Sequence, residues 1–340
     1  MLDELINTSC EFDELKRDYG PVPAREMVQF DDVTAELVLP PDLMSTMSGE
    51  SEVRMLPTDW AFKNQICQKL GVACWPGENK SLPGEYLLQC PSSMRARQLN
   101  HWVKRLPDNQ NGTAKEWFVR GYDDGSTCRA VLSNRFSVVD VTETLGWVKQ
   151  ALDSKGNGLT PVIHNPIVTP DILHLRVLFK DVNDGGYAVG GYFTTGEIGN
   201  RRIGAYPLIQ RHSCTNSIVI PKDEFSWEHN HTGSRAVLRS LFMGAIFEVL
   251  KGAAEGLDLL LRAEEQEIPD FADYIDSLAE EYSFTTETRD EILIGSEGHE
   301  SLFGVVQGIS HAANRMDDPT EAADMQLMAG AVLVTRSQQR

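Results

Sequence analysis

The chain has no CxxC pair, and its six cysteines, Cys10, Cys67, Cys74, Cys90, Cys128 and Cys214, follow no disulfide-framework spacing. A chain of 340 residues buries enough core to be stable without such staples, so reduced thiols in a cytoplasmic setting are expected. The sequence does not open with a positive segment followed by an apolar stretch, which speaks against a secretory signal. No apolar run is uncharged for long enough to span a membrane: the greasiest, Leu238 to Leu261, is broken by Arg239, Glu248, Lys251, Glu255 and Asp258. Also missing are a GxxxxGKS/T phosphate loop, HExxH, a GxSxG elbow and the kinase signatures. The commonest hydrolytic and nucleotide-hydrolysing classes therefore lose most of their weight, and no catalytic residue, cofactor or resident metal is assigned.

Positive charge is scarce. The formal net charge is −19, which argues against indiscriminate binding to nucleic acid or anionic lipid. Its distribution is uneven: residues 1–90 hold 16 acidic and 7 basic side chains, residues 91–240 hold 14 and 18, and residues 241–340 hold 20 and 6. Only the middle is basic, while an acidic end can be a solvated face, a mimic of nucleic acid or a brake that competes for a neighbouring basic groove.

The first 55 residues, with Pro21, Pro23, Pro40, Pro41 and the polar run Ser45 to Ser51, show no sustained apolar period and read as an extended arm with one strand near Thr34 to Leu39. Trp60, Phe62, Ile66, Cys67 and Leu70 recur at helical spacing after Thr58 and stop at Gly71. A second helix runs from Ser92 or Ser93 to Leu106, closed by Pro107. Trp117 to Arg120 and Arg129 to Leu132 flank Asp123-Asp124-Gly125 as a hairpin. Val141, Thr144, Leu145, Val148 and Leu152 mark a short amphipathic helix.

Then come β-runs at Val162-Ile163, Leu173 to Lys180, Tyr187 to Thr195, Arg202 to Ile209 and Ser217 to Ile220, joined by glycine turns, and after them helices from Ser234 to Val334. The reading is α+β: an antiparallel, hairpin-rich central sheet with helices before it and a C-terminal helical section. As domains this gives an arm over 1–55, an α+β core over 56–265 and an acidic helical section over 266–340.

Two constellations carry candidate chemistry. Glu228, His229 and His231 precede the long helix, and alternation on a strand would put both imidazoles on one face. A third ligand would come from His212 or Cys214, and nothing selects it, so a polar loop is the stronger account. The second constellation is basic: Arg129, Arg135, Arg176, Lys180, Arg201, Arg202 and Arg211 fall on the predicted strands and their turns. Tyr187, Tyr192, Phe193 and Tyr206 are interleaved with them. If one sheet face is open, alternate positions build a cationic stripe with rings for stacking, as single-stranded nucleic acid requires. The competing account puts the rings in the core and the arginines on a solvated face.

The blocks Leu56-Pro57-Thr58 with Gln65 to Val72, Ala96 to Trp102, and Arg129 to Phe136 closing at Asp140 occur in a distinctive order. With Glu197-Ile198-Gly199, Arg211 to Asn216 and the stretches Ser301 to Asn314 and Ala329-Gly330, the text over roughly residues 55–330 resembles the phage/plasmid-like family catalogued as domain of unknown function 932. Asn134-Arg135-Phe136 departs from that family's Asp-Arg-Tyr, and Ser217 replaces a glycine. The resemblance implies carriage by mobile elements rather than a particular chemistry. A hairpin-rich sheet followed by a long helix is also similar, as a fold-level analogy, to phage single-strand annealing proteins.

The expectation is a non-enzymatic, self-assembling protein that binds single-stranded nucleic acid in annealing or recombination, with Arg129, Arg135, Arg176, Lys180, Tyr192, Arg201, Arg202 and Arg211 as contacts. The rival readings are an acidic interaction protein that engages a host protein and a metal-dependent enzyme.

Overall fold

The computed structural model describes residues 1–39, 52–70, 82–108, 115–154, 160–184, 186–211 and 216–337. It is α+β, with two mostly antiparallel sheets and a helical C-terminal section. The chain divides into two compact units, and the division differs from the one drawn on composition. The N-terminal unit is Cys10–Val138 with Ile198–Asn200; the C-terminal unit is Met1–Ser9, Val139–Glu197 and Arg201–Arg340.

The first residues are not an extended arm. They form helix α1 (Leu2–Glu14), strand β1 (Lys16–Pro23), the short helix α2 (Ala24–Met27) and strands β2 (Gln29–Phe30) and β3 (Leu37–Leu39). Two features hid them. The acids Asp3, Glu4, Glu11, Asp13 and Glu14 dilute the apolar period of α1, and Pro21 and Pro23 read as breakers of β1. The prolines are tolerated because β1 is an edge strand whose register slips between Tyr19 and Val22, where a missing N–H breaks no ladder.

The N-terminal unit continues with β4 (Val53–Pro57), a π-helical segment Ala61–Ile66 running into α3 (Cys67–Lys69), α4 (Leu82–Gln89), α5 (Ser92–Val103), β5 (Glu116–Tyr122) and β6 (Thr127–Ser133). Its sheet has the order β1-β5-β6-β4-β3-β2, with one parallel pairing, β4 to β6. The hairpin expected around Asp123-Asp124-Gly125 is β5–β6, with Gly125 at φ 67° as the turn demands. Ala96, Leu99 and Val103 of α5 pack in one core with Phe30, Leu37, Leu39 and Phe62. The glycine stop expected at Gly71 lies outside the described residues.

The C-terminal unit holds α6 (Val141–Ser154), the strands β7 (Pro161–Val168), β8 (Ile172–Asp184), β9 (Tyr187–Gly196), β10 (Ile203–Arg211), β11 (Ser217–Val219) and β12 (Trp227–His229), and the helices α7 (Arg235–Glu264), α8 (Phe271–Tyr282), α9 (Thr286–Gly295), α10 (Leu302–Ala313) and α11 (Pro319–Ser337). Its sheet runs β11-β10-β9-β8-β7, and β12 also pairs with β10. Side chains of alternating parity face opposite ways. Leu173, Leu175, Val177, Phe193, Ile203 and Ala205 meet Leu238, Phe242, Ile246 and Val249 of α7.

The opposite face carries Leu178, Ala188, Tyr192, Tyr206, Leu208 and Val219, with Leu327 of α11 packed on it. Helix α11 comes so close to β11 that a Cβ at Gly330 would stand 1.6 Å from the Val219 carbonyl oxygen, which only glycine avoids. Every residue of β9 is buried. This sheet is covered on both sides, so the open cationic face expected of it is not there among the described residues. Nor is any described helix long and apolar enough to cross a membrane.

Candidate functional site

The eight expected nucleic-acid contacts fall in both compact units. Arg129 and Arg135 belong to the N-terminal unit and the others to the C-terminal unit. Arg129 is 1% exposed, its guanidinium 5.1 Å from the centre of the Tyr122 ring, whereas Arg135 is exposed. Arg176 and Tyr192 are buried beneath α11. Arg201 pairs with Asp324, and Arg202 with Glu228 at 2.8 Å. Arg211 lies half-buried over Phe303, 5.9 Å from the ring centre. The side chain of Lys180 falls outside the described set. Tyr187, Phe193 and Tyr206 are core residues. His174, Arg176 and Leu178 share one face of β8, and strand parity cannot reveal that α11, some 150 residues later, closes that face.

Under α11 these residues build a polar layer. His174 and Thr194 are cross-strand partners, as are Arg176 and Tyr192 one rung along, and Tyr192 and Tyr206 beyond. His174 Nδ1 lies 2.5 Å from the Tyr192 hydroxyl, and the two rings stack. Burial, then the charges of Arg201 and Arg176, push the imidazole down to about 3, so it is neutral; Asp318 opposes this weakly. Burial likewise lifts Tyr192 to about 12. Tyr206 is also raised, by burial and by the Glu228 carboxylate to which it donates at 3.0 Å. Arg176 donates to the Asn165 carbonyl at 3.0 Å and to Gln326 Oε1 at 2.6 Å, with the Tyr192 ring beside it. Asn165 can offer its carbonyl because β7 slips register there and Asn165 takes φ 41°, a left-handed conformation that asparagine tolerates.

The two histidines weighed as metal ligands have other engagements. His229 stacks on Trp227, and its Nδ1 meets the Asn230 carbonyl oxygen. His231 is buried, with Nε2 3.3 Å from the Thr195 hydroxyl. No three-ligand group among the described residues includes either of them. His212 and Cys214 lie outside the described residues.

A second polar region, in the N-terminal unit, was not anticipated. Between Glu85 and Asp108 the sequence contains no carboxylate, and this stretch folds as the end of α4 and all of α5. One face of α5 enters the core; the other presents Arg97, His101 and Trp102 to solvent, followed by Lys104 and Arg105 in the turn that ends the helix. Arg95 is drawn aside over Phe62, 5.7 Å from the ring centre. No ion pair among the described residues involves Arg97, Lys104 or Arg105. Trp102 is 41% exposed, with the His101 ring edge-on to it at 5.4 Å.

Arg97, Asn100, His101 and Lys104 form one wall of a cleft of about 630 Å³. The facing wall, from β2 to β4, carries Asp31, Asp32, Glu52 and Arg54. Asp31 is held down to about 2 by the Thr34 and Val33 N–H groups and pairs with Arg54 at 2.7 Å. Asn100 fixes the floor by pairing with both backbone groups of Phe30, accepting at 2.8 Å and donating at 2.7 Å. The signal available in the sequence was the acid-free interval itself. Tallying charge over broad thirds of the chain diluted it.

Searches of family models, curated proteins and solved structures found no match to this chain.

Proposed function

We propose that the protein binds single-stranded nucleic acid, with α5 facing the phosphates and Trp102 serving as a stacking platform. The observation that carries this reading is an acid-free, solvent-facing stretch, the outer side of α5 and the turn after it, bearing Arg97, His101, Lys104 and Arg105 in a chain of net charge −19. Such a side attracts a polyanion locally while the rest of the surface repels it, and an exposed indole stacks on bases of any identity. The facing carboxylates Asp31, Asp32 and Glu52 suit the amino edges of unpaired bases, which a duplex would conceal. The ordered sequence blocks support an origin on a phage or plasmid, where single strands arise in annealing and recombination.

Fluorescence anisotropy of a short labelled single strand across a salt series tests the reading. Binding that weakens with salt and is lost on reversing Arg97 and Lys104 to Glu is expected. Reversal of Arg201 and Arg202 leaves it unchanged. Absence of binding even at low salt would remove the reading.

A further inference from the structure

The α5 cleft pairs only part of its charge with itself. On the strand wall Asp31 is engaged at both oxygens: one accepts from the Val33 and Thr34 N–H groups, each at 2.9 Å, and the other from Arg54 at 2.7 Å. Glu52 pairs with the same guanidinium at 3.1 Å. Asp32 is different. It is exposed, and the hydrogen bond it accepts among the described residues is a long one, 3.4 Å from the Asn100 amide. On the helix wall Arg105 turns back onto His101 Nε2, while Arg97 and Lys104 line the cleft without an ion pair among the described residues. Two cations on one wall and one carboxylate on the other are thus left for an occupant.

We propose that Asp32 selects the base, so that the cleft takes nucleotides whose base carries an exocyclic amino group in preference to thymine or uracil. The inference rests on the single-strand reading and adds to it the chemical class of the nucleotide that is read.

An occupant that completes both walls is anionic at one end and a hydrogen-bond donor at the other. Inorganic phosphate or a duplex backbone meets the first requirement and leaves Asp32 facing negative charge. A nucleotide of an unpaired strand meets both, with its phosphate toward Arg97 and Lys104 and its base edge toward Asp32. A carboxylate only accepts hydrogen bonds. Cytosine offers it an amino group where thymine offers O4, a second acceptor that it repels. Gln29, exposed on the same wall, carries an amide that donates or accepts and so serves either base; the discrimination falls to Asp32. Val33, 76% exposed at this wall, gives the ring an apolar surface. The volume of about 630 Å³ is that of a pocket for one small ligand, so the cleft reads one nucleotide of the strand rather than a stacked run.

The test is fluorescence anisotropy of the full chain with short labelled oligo(dC) and oligo(dT) of equal length, above neutral pH and across a salt series. Oligo(dC) should bind about fivefold or more tighter at every salt concentration, with equal salt slopes, because the phosphate contacts are shared. In Asp32→Asn the ratio should fall to near one, since an amide donates to O4 as readily as it accepts from an amino group. Circular dichroism checks that the variant folds. Equal affinity for the two strands in the natural chain, or a preference for oligo(dT), would overturn the base preference while leaving the single-strand reading in place. A preference for oligo(dC) that survives Asp32→Asn would also overturn it, assigning the preference to stacking. Absence of binding to either strand at low salt would remove both readings.

Discussion

Arg176 on β8 and Gln326 on α11, 150 residues apart in sequence, meet side chain to side chain at 2.6 Å. The contact belongs to a longer chain of amides. Gln326 donates to Asn314 at 3.1 Å, Asn314 to Asn216 at 2.8 Å, and Asn216 to Gln307 at 3.3 Å. Replacing Gln326 with Ala leaves the buried guanidinium short of an acceptor and Asn314 short of a donor. Loss of a partner from a buried charged group costs about 2–3 kcal/mol, which urea unfolding of the variant should show as a lower midpoint at unchanged slope.

His174 gives the same region a pH signature. Its folded value of about 3 lies below the ordinary 6.5, so between these limits the unfolded chain binds more protons than the folded one. Stability from this group is therefore complete above pH 6.5 and is lost as pH falls toward 3, with a slope of up to about 1.4 kcal/mol per pH unit. Carboxylates titrate over the lower part of this window in both proteins. The difference between the natural chain and His174→Phe isolates the imidazole: the variant's stability should fall less steeply between about pH 6 and 4. Equal slopes in chemical unfolding at several pH values would show that His174 is not held neutral.

At Gly330 the spacing of α11 and β11 is set by backbone contact. A methyl group there meets the Val219 carbonyl at 1.6 Å, and the atoms in its way are backbone and the Pro221 ring rather than the far end of a flexible side chain. Gly330→Ala should therefore destabilise by about 3 kcal/mol, despite the better helix propensity of alanine. A rise in Tm would contradict the close approach.

How far the sequence carried the reading follows from how local each signal is. The helix start at Ser234 was visible in the sequence, and its side chain caps α7 by accepting from the Val237 N–H; Thr285 and Ser301 cap α9 and α10 in the same way. The meander from β7 to β11 was visible through alternation and glycine turns. The N-terminal sheet was not: it joins β1, β5, β6 and β4 through pairings between distant segments, one of them parallel. For the site, composition identified a basic middle but not its solvent side. Arg120 shows why. It is a strand cation that parity alone would place in a stripe, yet it is buried against Asp18 at 2.7 Å.

Asn100 tests whether the α5 cleft is a built feature. Its amide imitates a strand partner for Phe30, tying β2 to α5 through two hydrogen bonds. Asn100→Ala should cost about 2 kcal/mol and weaken single-strand binding by loosening the facing wall. Asn100→Leu, of similar size, should restore packing but not the hydrogen bonds, and so should remain destabilised. Recovery of full stability by Leu would mean that the amide contributes only volume.

Trp102 separates stacking from charge. The indole is 41% exposed and its neighbour Val103 supplies the core contact of that turn, so Trp102→Ala should change unfolding stability by well under about 1 kcal/mol. Binding to a short single strand should nevertheless weaken by about 1–3 kcal/mol, roughly 5- to 150-fold. The salt slope should stay unchanged, because no phosphate contact is removed. Lys104→Gln should do the converse, lowering the slope by about one phosphate's worth with a smaller loss of affinity at high salt. If both substitutions merely reduced the slope, the tryptophan would be acting through the fold of α5. If neither altered binding that the natural chain displays, the strand would lie on a different surface.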